Sequence, residues 1–262
     1  MLANSDAILA RYLLNFHRFI ELIFRAAVTF GLESANVVGY ATLNTGYTHQ
    51  MLGVPFTSVN GEDNGLLLKD VVGNFGIWDE IQFSYMDSDG LVQFNTYFYL
   101  NEDEGGECIG WHDGDYVYVG DSVSIPAGSA VWVISQNSEA LSITSSGAVR
   151  DEAFVHSNFN ESYNLVSSAF PIAFNPNAST VTWSGLNIWD ELQVAFVDED
   201  GLIQFTQYFF LNEEEGGEAD NKWHDGDYCL VSEPIASVGQ GFWLITSADP
   251  QAVSFTEKSP LK

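Results

Sequence analysis

Apolar and polar side chains alternate with a period of two in several stretches of this chain. Ile81, Phe83 and Tyr85 point one way, Gln82 and Ser84 the other. In the next stretch Val92, Phe94, Phe98 and Leu100 share one face, which leaves Gln93, Asn95, Tyr97 and Tyr99 for the opposite, outer face. The same pattern returns as Leu192, Val194 and Phe196, then Ile203, Phe205, Phe209 and Leu211. Alternation in runs rich in aromatic and β-branched residues predicts half-buried antiparallel strands. Asp87-Ser88-Asp89-Gly90 and Asp198-Glu199-Asp200-Gly201 lie between the paired runs. Each predicts a hairpin turn, because Gly accepts positive φ and Asp bonds its own backbone. Further turns are expected at Gly105-Gly106, Asp113-Gly114-Asp115 and Ala127-Gly128. Short strands punctuated this way predict an all-β fold, a β-sandwich or a partly open barrel.

The pattern recurs because the sequence does. Residues 78–116 and 189–228 align with one inserted residue in the second copy, and 25 of 39 positions are identical. Weaker similarity extends upstream, with Met51–Phe56 over Leu165–Phe170, and downstream, with Gly128–Ile134 over Gly239–Ile245. A unit of this size is a domain-sized repeat rather than a solenoid period. The expected organisation is an N-terminal segment over 1–33, a first β domain over 34–150 and a second over 151–262, two tandem β-sandwich-like domains from an internal duplication.

Residues 8–30 are apolar and free of Gly and Pro, which predicts a helix capped by Ser5 or Asp6. Arg11, Arg18, Glu21 and Arg25 argue against a membrane-spanning helix. A degraded export signal is the favoured reading. An amphipathic helix on a membrane surface or packed on a domain is the alternative, since the three arginines recur every seven residues.

Charge narrows the partners. The chain carries 36 acidic and 8 basic residues, a net charge of −28. Residues 1–34 are balanced, so the whole excess falls on the repeats. Such a surface repels phosphate backbones, which excludes nucleic acid, and attracts cations. Cys108 and Cys229 are not at equivalent places and have no zinc-type spacing; a bridge between them would need an oxidising compartment.

Ser34-Ala35-Asn36-Val37-Val38-Gly39-Tyr40, the run Trp78-Asp79-Glu80-Ile81-Gln82-Phe83, Trp111-His112-Asp113 and Ile125–Trp132 together resemble a known pattern. It is that of uncharacterised, exported tandem β-domain repeat proteins of environmental Gram-negative bacteria. The resemblance covers about residues 34–247. The group's usual Ala-Gly-x-x-Phe-Trp ending has Val131 for the Phe in the first copy; Gly241-Phe242-Trp243 is closer to type. The resemblance implies a secreted or cell-surface location, not a reaction.

Four kinds of chemistry are open to these residues. Asp87, Asp89, Asp198 and Asp200 have the spaced acids and following Gly of a calcium loop, though without the later ligands, so calcium is the candidate cofactor. Trp111 and Trp223, with Tyr97 and Tyr208, form the candidate glycan platform. The His112-Asp113 and His224-Asp225 pairs read as structural turns; no nucleophile elbow or isolated carboxylate pair points to an enzyme. Open edge strands offer self-association, with divalent cations screening the negative charge. The function expected is therefore a non-enzymatic structural or adhesive protein, with a glycan-binding module as the alternative.

Overall fold

The computed structural model describes residues 37–44, 49–58, 65–136, 141–157, 159, 162–198, 200–247 and 252–261. The expected N-terminal helix, and with it any export signal or membrane contact through residues 8–30, lies outside them. Regular structure among the described residues is antiparallel strand with short 3-10 turns. Among them no helix is long and apolar enough to cross a membrane.

The first repeat contributes β1 (Val37–Asn44), β2 (His49–Gly53), β3 (Leu66–Leu67), β4 (Val71–Gly73), β5 (Glu80–Met86), β6 (Val92–Leu100), β7 (Gly110–His112), β8 (Ser124–Ile125), β9 (Ala130–Ile134) and β10 (Ser142–Val149). The second contributes β11 (Phe154–His156), β12 (Tyr163–Ser167), β13 (Val181–Ser184), β14 (Glu191–Val197), β15 (Ile203–Leu211), β16 (Lys222–His224), β17 (Gly241–Ile245) and β18 (Ser254–Glu257). A five-stranded sheet runs β2-β9-β5-β6-β7 and a second runs β12-β17-β14-β15-β16, the same order of equivalent strands. Two three-stranded sheets, β1-β10-β4 and β11-β18-β13, match in the same way. In each repeat the small sheet closes one apolar core with the large one. Leu43 and Ile143 meet Leu52, Ile81, Val131 and Trp111 in the first, and Phe255 meets Val166, Leu192, Phe242 and Trp223 in the second.

The register of β5 against β6 corrects one assignment of faces. Tyr97 stands opposite Ile81, and opposed residues of an antiparallel pair share a face. Tyr97 and Tyr99 therefore pack on the first core, and Tyr208, opposite Leu192, packs on the second. The other face is the one that turns away from each repeat's own core. That face is also apolar, because it carries a third cluster. Met51, Ala130 and Trp132 of the first large sheet pack against Leu165 and Trp243 of the second. In β9 all residues from Ala130 to Val133 are buried, Val131 and Val133 in the first core, Ala130 and Trp132 in this third layer.

The contact between the repeats is reciprocal, as in an isologous dimer. The Gly53 N–H donates to the Gly239 carbonyl, and the equivalent Ser167 N–H donates to the Gly128 carbonyl, both at 2.8 Å. Leu52 bridges to Gln240, and Val166 to Ser129. Residues on the axis of this arrangement face their own equivalents. A Cβ on Gly53 would stand 2.4 Å from the Ser167 Cβ, and one on Gly241 would stand 2.3 Å from the Ala130 Cβ. Each equivalent pair on the axis therefore keeps one glycine.

Candidate functional site

The strongest surface feature is built once in each repeat. Trp78 and Trp189 start the segment that leads into the hairpin, and both have positive φ, 72° and 74°. Tyr116 and Tyr228, after the Asp-Gly-Asp turns, have φ of 65°. Bulky non-glycine residues rarely adopt this conformation, and each costs about 1–3 kcal/mol when held there. Each Trp stands edge-on to its Tyr, with ring centroids 6.4 Å and 6.2 Å apart. Phe98 and Phe209 complete the groups, 6.0 Å and 5.8 Å from Trp78 and Trp189. These rings are strained and yet open to solvent: Trp78 is 36% exposed, Tyr116 45%, and Trp189 and Tyr228 44% each. A core requires neither property.

Hydrogen bonds beneath the rings hold them in place. Asp79 and Asp190 are fully buried. Asp79 Oδ2 accepts from the Gly76 N–H at 2.7 Å and Oδ1 from the Gln136 N–H at 2.9 Å. Asp190 does the same with the Asn187 and Ser247 N–H groups, and adds the Ser247 hydroxyl at 2.7 Å. Backbone bonds then fix the preceding residue: the Trp78 N–H donates to the Tyr99 carbonyl, and the Trp189 N–H to the Phe210 carbonyl. On the Tyr side, Asp113 Oδ1 accepts from the Asp115 and Val117 N–H groups, and Asp225 Oδ1 from Asp227 and Cys229. A carboxylate meets the ring of the first copy. Trp78 Nε1–H donates to Glu104 Oε2 at 3.3 Å. Glu104 and its equivalent Glu215 end acidic 3-10 turns, Glu102–Glu104 and Glu213–Glu215, capped by the side chains of Asn101 and Asn212. Aromatic faces beside carboxylates form an environment that favours cations.

The residues expected from sequence to form sites fall elsewhere. Trp111 and Trp223 are 1% and 0% exposed. Trp111 packs on Phe75 and Tyr99, and Trp223 on Trp183 and Phe210. With Tyr97 and Tyr208 also on the cores, these four form no glycan platform, because stacking needs an open ring face. Asp87 and Asp198 close their hairpins. Asp87 Oδ1 accepts from the Asp89 and Leu91 N–H groups and Oδ2 from Gln93 Nε2. Asp198 repeats this with Asp200, Leu202 and Gln204. Asp89 and Asp200 thus meet their partners through backbone, within the turn. Among the described residues no group of three or more His, Cys, Asp or Glu side chains is arranged to hold a metal ion. His112 and His224 are fully buried. Nδ1 of each bonds a backbone carbonyl, Gly110 and Lys222, and Nε2 accepts from the Glu107 and Ala219 N–H groups. Both nitrogens are used by the loop that each ring supports. Cys108 and Cys229 are free thiols.

The hairpin carboxylates give a pH prediction. The backbone bond from Leu91 holds Asp87 below the usual carboxylate value of 3.8, with help from Gln93 and Asp89; Leu202 does the same for Asp198. A depressed folded pKa adds stability above the unfolded value, and that stability is lost as pH falls through the folded one. Wild type is therefore expected to lose stability below pH 3.8 more steeply than the Asp87→Asn/Asp198→Asn variant. Urea unfolding midpoints between pH 5 and pH 2 check this, and parallel curves would refute it.

Sequence inspection passed over Trp78, Trp189, Tyr116 and Tyr228. The one available signal was position, a Trp just before a buried Asp and a Tyr just after an Asp-Gly-Asp turn in both copies. Compared with known proteins, the chain matches no family model, no curated protein and no solved structure.

Proposed function

We propose that this chain is a non-enzymatic, exported structural or adhesive protein, made of two tandem β-sandwich-like domains that arose by internal duplication. It binds through two copies of the Trp–Tyr surface site, Trp78 with Tyr116 and Trp189 with Tyr228. The observation that carries this reading is strain kept at an exposed place twice over. Four bulky rings hold positive φ on the surface, where burial gives nothing in return. The Glu104 carboxylate at Trp78 and the net charge of −28 favour a partner that presents lysine or arginine side chains. Divalent cations, calcium among them, act as counter-ions when copies of the chain associate edge to edge.

The full chain passed over a surface bearing a lysine-rich peptide tests this. Trp78→Ala or Trp189→Ala alone is expected to weaken apparent affinity about 100-fold, by turning a bivalent contact into a monovalent one. The double variant is expected to abolish binding while its melting temperature stays near wild type. Binding that the double variant retains would overturn the reading. A glycan module is the second reading, favoured by the same exposed indole faces. It would show as a glycan-array signal that the double variant loses, with no response to the peptide.

A further inference from the structure

The duplication provides an internal comparison, because a position that both repeats need for folding should be met by similar chemistry in both. One cluster breaks this rule. In the first repeat Ser145 on β10 stands opposite Ala41 and Val71, and Leu43 opposite Ile143. In the second repeat Glu257 on β18 stands opposite Phe154 and Val181, and His156 opposite Phe255. Glu257 and His156 thus replace Ser145 and Leu43. Ser168 replaces Val54, by the alignment of Met51–Phe56 with Leu165–Phe170. The first repeat folds around Leu43, Val54 and Ser145, all buried. The second buries an ionisable pair at the same place, a costly arrangement that packing does not ask for.

The pair is fully wired on one side. Glu257 Oε1 accepts from the Ser168 hydroxyl, and Oε2 from the Ala169 N–H, both at 2.8 Å. His156 Nε2 lies 2.8 Å from Oε2. A carboxylate accepting from all these neighbours requires Nε2 to carry the proton, which leaves Nδ1 as the acceptor nitrogen. The imidazole stacks on Phe255 with centroids 3.9 Å apart. Burial pushes its pKa below the usual range, against the pull of Glu257. The ring edge with Nδ1 and Cε1 lies against Gly128 of the first repeat. A Cβ there would stand 3.0 Å from Nδ1 and 2.5 Å from Cε1, so glycine is the residue that leaves room for the ring.

His156 lines a cleft of about 410 Å³ with residues 126–130, 154–157, 159 and 164–166, within the size range of small-molecule sites. Phe83, Phe154, Phe159 and Leu165 supply apolar walls, and Ser129 and Asn164 polar groups; among the described residues that line it none carries an Asp, Glu, Lys or Arg side chain. We propose that this cleft binds a small uncharged molecule, an apolar ring bearing a hydroxyl group, whose O–H donates to His156 Nδ1. Glu257 and Ser168 are positioning residues that fix the tautomer and orientation of the imidazole.

Phenol is the probe, with anisole as the control that lacks the donor. In the 15N-labelled full chain, phenol is expected to move the His156 Nδ1 resonance saturably, and anisole to bind about 10-fold more weakly. The triple exchange His156→Leu/Ser168→Val/Glu257→Ser installs the first repeat's residues, and is expected to fold and lose phenol binding. An unmoved Nδ1 resonance, equal binding of anisole, or phenol binding retained by the triple variant would each overturn the proposal. The phenol–anisole contrast in wild type decides it even if the triple variant fails to fold. None of these outcomes depends on the Trp–Tyr surface sites.

Discussion

Asp190→Ala is expected to destabilise the protein by about 3–5 kcal/mol, because several buried donors lose their acceptor at once. The Asn187 N–H, the Ser247 N–H and the Ser247 hydroxyl all point at this one carboxylate. The side chain is fully buried, so water does not replace it without opening the turn. Asp79→Ala is expected to cost less, since Asp79 satisfies only the Gly76 and Gln136 N–H groups among the bonds described. Asp190→Asn keeps one acceptor oxygen but turns an amine toward a donor, and should fall between wild type and Ala. Urea unfolding at neutral pH measures all three. The same turn holds Trp189 at positive φ, so Asp190→Ala should also release that ring and change its fluorescence before global unfolding. A loss under about 1 kcal/mol, or an order with Asp79→Ala the larger, would show that the carboxylate does not hold the turn.

Local chemistry made part of this architecture legible. The hairpins at Asp87 and Asp198 need only a short polar side chain and a glycine, both adjacent in sequence, and they form where that chemistry places them. The alignment of Met51–Phe56 with Leu165–Phe170 is matched by register, since Met51 pairs with Trp132 and Leu165 with Trp243. What failed was deciding which face of a two-sided apolar strand looks inward. Period two separates the faces but does not rank them when both are buried. Taking Val92, Phe94, Phe98 and Leu100 as the inward face puts Tyr97 outside, whereas its partner Ile81 places it on the core, as Leu192 does for Tyr208. The His156–Glu257–Ser168 cluster was not legible at all. Glu257 bonds partners 101 and 89 residues away, and only the register of two different strand pairs brings them together. The surface Trp–Tyr pairs were hidden differently. Their distinction is a backbone conformation, and nothing in the letters of Trp-Asp-Glu reports φ.

Gly241→Ala is expected to cost about 1–3 kcal/mol, and the exchange Ala130→Gly/Gly241→Ala to recover most of it. Gly241 does not have positive φ, so an alanine there suffers no backbone strain. The cost is steric, because the new Cβ would stand 2.3 Å from the Ala130 Cβ and 3.3 Å from the Met51 Cβ. Removing the Ala130 methyl clears the first of these contacts, and reciprocal packing means that either partner can be the small one. Ala130→Gly alone should cost about 0.5–1 kcal/mol through backbone entropy and the lost methyl. The double variant should therefore be more stable than the sum of the singles by about 1 kcal/mol or more, a coupling that distant, independent sites do not show. Differential scanning calorimetry of the four proteins closes the cycle. Additive losses would mean that the two repeats do not meet across this axis. Coupling would show that the layer of Ala130, Trp132, Leu165 and Trp243 joins the two repeats.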